Sequence, residues 1–216
     1  MYYFYFSTSN VCAMAHHAPQ LPRQRSLLVI SGRVETIIGS MYSGKTTELL
    51  RRIRTYAIAK HETVVLKYME DRRQGEPKDV LVTHGGDRYP AVPCGKYELG
   101  SKDMFNNVYS KYSVIGIDEG QFFPDLAEVA NALADAGKIV IVACLNGTFL
   151  RQPFPQTSAM IACSETVTHL KAVCIQCSAP AIFSKRLIEA TELEVIGGPE
   201  AYEARCRKCF GRTDVF

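Results

Sequence analysis

From Gly32 onward, short runs rich in β-branched residues alternate with longer stretches whose apolar positions recur every three or four residues. Arg33–Ile38 predicts a strand ending at Gly39, and Thr46 to about Lys60 predicts a helix with Leu49, Leu50, Ile53, Tyr56 and Ala57 along one face. Thr63–Lys67 is a second predicted strand. Val114–Ile117 is a third, apolar at nearly every position as befits a strand covered on both faces. Pro124 and Asp125 open a second helix that Gly137 closes, with Pro at the start and Gly past the end, and Lys138–Leu145 follows as a fourth strand. Residues 69–97 carry Gly75, Pro77, Gly85, Gly86, Pro90 and Pro93 and predict irregular structure. Strands alternating with helices define an α/β fold, a parallel sheet flanked by helices.

The pattern breaks at both ends. Up to Arg33 there is no acidic residue, three arginines (Arg23, Arg25, Arg33) and a middle stretch without periodicity. A flexible extension over residues 1–32 is the plain reading, and an organellar transit peptide is the alternative. The opening Met-Tyr-Tyr-Phe-Tyr-Phe lacks the basic leader and the longer apolar stretch of a signal peptide. Beyond about residue 168 come two cysteine pairs, a predicted strand Glu192–Ile196 and Gly197-Gly198-Pro199, which predicts a main domain over 33–167 and a small second one over 168–216. A length of 216 residues allows that division and no more, at roughly 150 residues per domain.

Composition narrows the class. The chain is 47% apolar and 22% charged, as a globular protein should be, and no apolar run approaches the roughly 18 residues of a membrane span. A spanning segment being absent, no membrane partner is expected; a formal charge of +3 is a weak footprint for a polyanion, so no nucleic-acid partner is expected either, although overall charge leaves room for a local basic patch. Eight cysteines, four of them scattered (Cys12, Cys94, Cys144, Cys163), fit a reducing compartment and a metal site better than a disulfide framework, and a cytoplasmic location is expected.

Gly39-Ser40-Met41-Tyr42-Ser43-Gly44-Lys45-Thr46 satisfies G-x-x-x-x-G-K-[ST] between a predicted strand and a predicted helix. Glycines let consecutive N–H groups curl around phosphate oxygens. Lys45 brings positive charge to the β- and γ-phosphates, the Thr46 hydroxyl can bind Mg²⁺, and the helix adds its positive end. This is a nucleoside triphosphate site.

The third strand ends in Asp118-Glu119. A carboxylate at this place in phosphate-loop proteins holds Mg²⁺, which suits Asp118. Neighbouring side chains on a strand point to opposite faces, so Glu119 can face an acceptor and take its proton as general base. Asp-Glu at this position also occurs in ATPases and helicases, where the Glu activates water, and the pair alone does not separate the two. Cys174-Ile-Gln-Cys177 and Cys206-Arg-Lys-Cys209 present four thiolates on two tight turns, suiting a structural tetrahedral Zn²⁺ with no open position. The stretch between the pairs exceeds the usual ribbon spacing of roughly 15–20 residues and encloses a substantial loop. Disulfides or a redox pair are the alternatives.

Smaller signals have plainer readings. Arg51, Arg52 and Arg54 read as a solvated helix face. Asp71-Arg72-Arg73 is either an active-site loop or a surface cluster. Phe122, Phe123 and Phe149 read as core, forming an aromatic slot only if a planar ligand binds there, and His84 reads as a loop histidine.

Taken together, these residues resemble the type II thymidine kinases, the family that carries a zinc-stabilised lasso domain. The matching stretches are Gly39–Arg52, Asp118-Glu119-Gly120-Gln121-Phe122-Phe123, Asn146-Gly147-Thr148-Phe149, Cys174–Cys177, Lys185-Arg186-Leu187, Glu194-Val195-Ile196-Gly197-Gly198, Tyr202 and Cys206–Cys209. They cover roughly residues 33–210. The resemblance implies a P-loop NTPase (RecA-like) sheet plus a small C-terminal zinc-binding lasso domain, and phosphoryl transfer from ATP to the 5′-hydroxyl of thymidine or deoxyuridine. It makes Glu119 the base, gives Mg²⁺ to Thr46 and Asp118, and sets Asp71, Arg73 and Gln121 near the ATP phosphates. It puts Met41, Phe122, Leu145 and Phe149 around the nucleoside, with Leu193, Glu194, Val195, Ile196, Gly197 and Tyr202 closing over the base and Ser184 beneath. Homotetramers and inhibition by thymidine triphosphate are implied as well. Asn146 stands where many members carry Asp, and Ser184 replaces a commoner Thr while keeping the hydroxyl. A P-loop ATPase with a nucleic-acid-binding zinc ribbon is the rival reading, and a non-catalytic ATP-dependent module a further one.

Overall fold

The computed structural model describes residues 31–71, 77–190, 192, 194, 195 and 197–211. The expectations for residues 1–30 and for Arg72, Arg73, Leu193 and Ile196 lie outside the described residues. In chain order, β1 (Arg33–Gly39), α1 (Lys45–Ile58), β2 (Thr63–Tyr68), β3 (Val80–Val82), β4 (Arg88–Pro90), β5 (Val92–Cys94), β6 (Val114–Ile117) and α2 (Leu126–Asp135) come first. They are followed by β7 (Ile139–Leu145), α3 (Pro155–Cys163), β8 (Thr166–Leu170), β9 (Ala172–Val173), β10 (Pro180–Ala181), β11 (Phe183–Arg186), β12 (Tyr202–Arg205) and α4 (Arg207–Phe210).

Six strands form one sheet in the order β5-β2-β6-β7-β1-β8, and every pairing is parallel. The four strands expected from the sequence are its four central ones; β5 and β8 add the edges. Alternation sorts the side chains onto two covered faces. Ile37, Val65, Val114, Ile139 and Ile141 meet Leu49, Leu50 and Ile53 of α1, while Ile38, Leu66, Ile115, Ile117 and Val142 meet Leu126, Val129 and Leu133 of α2. Each fully buried leucine or isoleucine contributes about 1.5–3 kcal/mol. Gly116 fits this packing, because a Cβ there would meet Ile53 Cδ1 at 3.0 Å. Among the described residues no helix is long and apolar enough to cross a membrane.

The region after β8 is built differently. Two two-stranded sheets, β9–β10 and β11–β12, share a core of Ala172, Cys174, Ala181, Ala204, Cys206 and Cys209. The described residues of the predicted strand 192–196 lie in no strand. Their carbonyls are taken by side chains: Arg186 donates to Glu192 O and the Tyr202 hydroxyl donates to Val195 O.

Candidate active site

The strand ends and the first turn of α1 make the phosphate end of a cleft. Gly39 has no room for a side chain, since a Cβ would meet the Leu170 carbonyl oxygen at 2.8 Å. Gly44 precedes α1 at φ 84, where only glycine sits without strain. The first intrahelical bond runs from Glu48 N to Gly44 O, so the amides of Lys45, Thr46 and Thr47 are left for a ligand at the helix start. A cavity there is lined by Tyr42, Gly44, Lys45, Thr46, Thr47, Asp71, His84 and Asp118, with Met41 and Glu119 at its boundary. Lys45 Nζ donates to Ser40 O at 3.0 Å, and burial lowers its pKa against the charges of Glu119 and Asp118. Thr46 Oγ1 donates to Asp118 Oδ2 at 3.1 Å. Burial, then the neighbouring charges of Glu119 and Asp71, push the Asp118 carboxyl up to about 7. A buried carboxylate, a second acid and a hydroxyl on one cavity fit Mg²⁺, a hard ion that takes oxygen ligands.

Met41, Asp71 and Glu119 also line a second cavity, with Phe122, Leu145, Gly147, Thr148, Phe149, Phe154, Ser184, Glu194, Val195, Gly197 and Tyr202. Glu119 reaches it from a left-handed backbone, φ 52 and ψ 39. Gln121 lies against Glu119 rather than reaching into either cavity: its Nε2 donates to Glu119 Oε2 at 2.6 Å and its Oε1 accepts from Leu145 N at 2.9 Å. Phe122 stands between Tyr68 and Phe154, with ring centroids 4.9 and 6.3 Å away. The phosphate loop is stitched to the C-terminal region, since Met41 N donates to Ser184 Oγ at 3.0 Å and the Tyr42 hydroxyl to Tyr202 O at 3.2 Å. Asn146 adds a bond from Nδ2 to Ile182 O at 2.9 Å, a donation that an aspartate could not make.

Cys174, Cys177, Cys206 and Cys209 bring their sulfurs within 4.8 Å of one another. Cys177 and Cys206 are 3.6 Å apart, close to the roughly 3.8 Å edge of a tetrahedron with metal–sulfur bonds of about 2.3 Å. The cluster therefore fits a metal ion. Against the effect of burial, backbone N–H groups of Cys206, Gln176 and Cys177 hold the Cys174 thiol down to about 6, whereas burial and the other three thiols push Cys209 up to about 12, so a metal entering the cluster would displace protons.

Apart from the four cysteines, which form their own cluster, the two cavities gather every expected site residue that the structure describes except Gly39, Ser40, Ser43 and Gln121. His84, a loop histidine by pattern, lines the phosphate cavity against the ring of Tyr42 at 4.9 Å. Phe154 also lines the second cavity, although its position between two prolines carries no sequence signal for a site. Arg51 is solvated, whereas Arg52 is half-buried and ties Glu48 to Glu35 and Thr168. Cys144 is buried and its thiol is pushed up to about 12, leaving it inert.

A parallel sheet whose first strand feeds a phosphate loop and whose adjacent carboxylates border a half-apolar cavity defines a P-loop nucleotide-binding protein of the kinase type. The sequence profile of the family described as Thymidine kinase matches residues 32–210. The chain is similar to the thymidine kinase of Vaccinia virus (strain Ankara), 48% identical over 179 residues that cover 83% of this chain and 97% of the relative. It is also similar to thymidine kinase 1 of Dictyostelium discoideum, 44% identical over 183 residues, 84% of this chain and 78% of that one. A solved flagellar accessory protein, FlaH of Methanocaldococcus jannaschii, shares 10% identity over 74% of each chain with a TM-score of 0.45. The chain belongs to the thymidine kinase family and is a phosphotransferase.

Proposed function

We propose that this kinase transfers the γ-phosphoryl group of ATP to the 5′-hydroxyl of thymidine, and of deoxyuridine, as a step of nucleotide salvage. ATP phosphates occupy the loop cavity and the nucleoside the second one. The observation that carries this reading is Glu119, which lines both cavities and so stands where donor and acceptor meet. As general base it takes the proton of the attacking hydroxyl, and Gln121 keeps its carboxylate oriented. Thr46 and Asp118 would hold Mg²⁺, which would supply charge neutralisation at the phosphates. Lys45 and the free amides of the helix start orient the phosphates. Phe122, Phe149 and Phe154 give the base an apolar slot, and Glu194, Val195, Gly197 and Tyr202 cover it.

Zn²⁺ in the four-cysteine cluster would staple the two ends of a C-terminal lasso domain over about 168–216 to each other, next to a kinase domain over 33–167, with β8 running across the junction. Inhibition by thymidine triphosphate follows from one molecule filling both cavities. A homotetramer and a cytoplasmic location complete the reading. The test is incubation with ATP, Mg²⁺ and each nucleoside, followed by analysis for the 5′-monophosphate. ATP hydrolysis that ignores nucleosides and responds to DNA would overturn it.

A further inference from the structure

Arg186, the last residue of β11, is the most heavily engaged side chain at the mouth of the second cavity. Its guanidinium lies on the ring of Phe149, Cζ 3.6 Å from the centroid. Nη1 donates to Ala190 O at 3.1 Å and to Glu192 O at 2.6 Å. Nε and Nη2 donate to the Tyr202 hydroxyl at 3.2 and 2.8 Å, and that hydroxyl donates to Val195 O at 2.8 Å. Arginine has no acceptor, so the hydroxyl must spend both lone pairs on the guanidinium and its one proton on Val195. One planar group thus fixes the backbone at 190, 192 and, through Tyr202, 195.

The wall and the cover of the cavity meet on this residue, because Phe149, Val195 and Tyr202 all line it. The strand that carries it is pinned in turn: Ser184, two residues earlier, accepts the Met41 amide of the phosphate loop. Arg186 itself does not line the cavity. Its contacts hold the groups that do. Lysine could not replace it, since a single ammonium point charge cannot stack and fork at once.

We propose that Arg186 is a positioning residue for the nucleoside: by stacking on Phe149 while gripping the carbonyls of Ala190, Glu192 and, through Tyr202, Val195, it presets the cover and thereby sets nucleoside affinity without contributing to ATP binding. This rests on the second cavity being the nucleoside site, and the test separates the two ideas. In the wild-type full chain, thymidine should suppress proteolytic cutting between residues 188 and 200; if it does not, the site reading fails and the proposal with it. In Arg186→Lys and Arg186→Met, the thymidine KM should rise roughly tenfold or more, as expected for lost hydrogen bonds to a charged group, while the ATP KM stays within about twofold. Cutting at 188–200 should be faster without nucleoside, with metal content and Tm close to wild type. Tyr202→Phe removes the hydroxyl that accepts from Arg186 and donates to Val195, leaves the stack on Phe149 and the bonds to Ala190 O and Glu192 O, and should raise the same KM; combined with Arg186→Met the effects should fall short of their product. If Arg186→Met does not fold, Arg186→Lys and Tyr202→Phe decide alone. A thymidine KM within about twofold of wild type in both, or thymidine and ATP KM values moving together, would overturn the proposal.

Discussion

The two ends of the cleft rest on different physics. At the phosphate end, Gly39, Asp118 and Leu145 stand at or just past the C-terminal ends of parallel strands, of which β6 is buried throughout and β7 at every position before Leu145. At the cover end, the strands are two to four residues long and their shared core is three alanines and three cysteines. So little apolar surface cannot offset the entropy of ordering the region, which is the circumstance in which small structural units depend on metals. Chemistry is thus assigned to the preformed end and adaptability to the stapled one.

Metal removal should break the comparison most visibly. Structural zinc supplies about 10–16 kcal/mol of apparent binding energy in small peptides. Cys206→Ser, or a chelator, should therefore abolish hydrogen-exchange protection across residues 172–205 while the six-stranded sheet keeps its own. Equal loss of protection in both regions would mean that they fold as one unit. Next in size is Glu119→Gln, which keeps shape and the Gln121 contact and removes the proton acceptor. Turnover should fall by roughly 10²–10⁴-fold with ATP affinity little changed; near-full turnover in a stopped assay would show that Glu119 is not the base.

The same contrast explains what could be read from the sequence. β1, α1, β6 and β7 are long or uniformly apolar enough for periodicity to report them, and the phosphate-loop spacing locates the chemistry between them. β5 and β9–β12 are too short to carry a period, β8 is an edge strand of mixed, mostly exposed residues, and β5 holds Pro93 at a sheet edge, where a missing donor does no harm. The stretch 192–196 has the apolar alternation of a strand, but Arg186 takes the Glu192 carbonyl and Tyr202 that of Val195, which no local pattern could reveal. His84 and Phe154 reach the cavities through loop paths, so their positions depend on tertiary packing alone.

A third test concerns pH. The Asp118 carboxyl ionises near 7 because burial and the charges of Glu119 and Asp71 disfavour its anion. Mg²⁺ must therefore displace a proton below pH 7, and its affinity should fall by up to about tenfold per unit there, levelling off above 7. The stability effect has the opposite sign. The folded chain holds this proton more tightly than the unfolded one, so the stabilisation is full below about 4 and is lost as pH rises through 7. Asp118→Asn should flatten that stability profile, and proton release on Mg²⁺ binding, read by calorimetry in two buffers, should vanish with it.

The smallest expected effect probes the rim of the cover. Lys96, just after β5, pairs with Glu194 through both carboxylate oxygens at 3.0 Å, joining the edge of the sheet to the covering segment across the cleft. Both side chains are more than a third exposed, so solvent and salt screen the pair, and such bridges contribute about 0.2–1 kcal/mol. Lys96→Ala should accordingly raise the thymidine KM by no more than about fivefold at low ionic strength. The difference should fade toward 1 M salt, where the screening length shrinks to about 3 Å. The grip of Arg186 on backbone carbonyls is shorter in range, stacked on an aromatic ring and partly buried, and its variants should keep their defect at high salt. If both variants lose their effect in salt, the cover is held mainly by surface charge. If neither does, Lys96 acts through the packing of its stem on the rim and not through its charge.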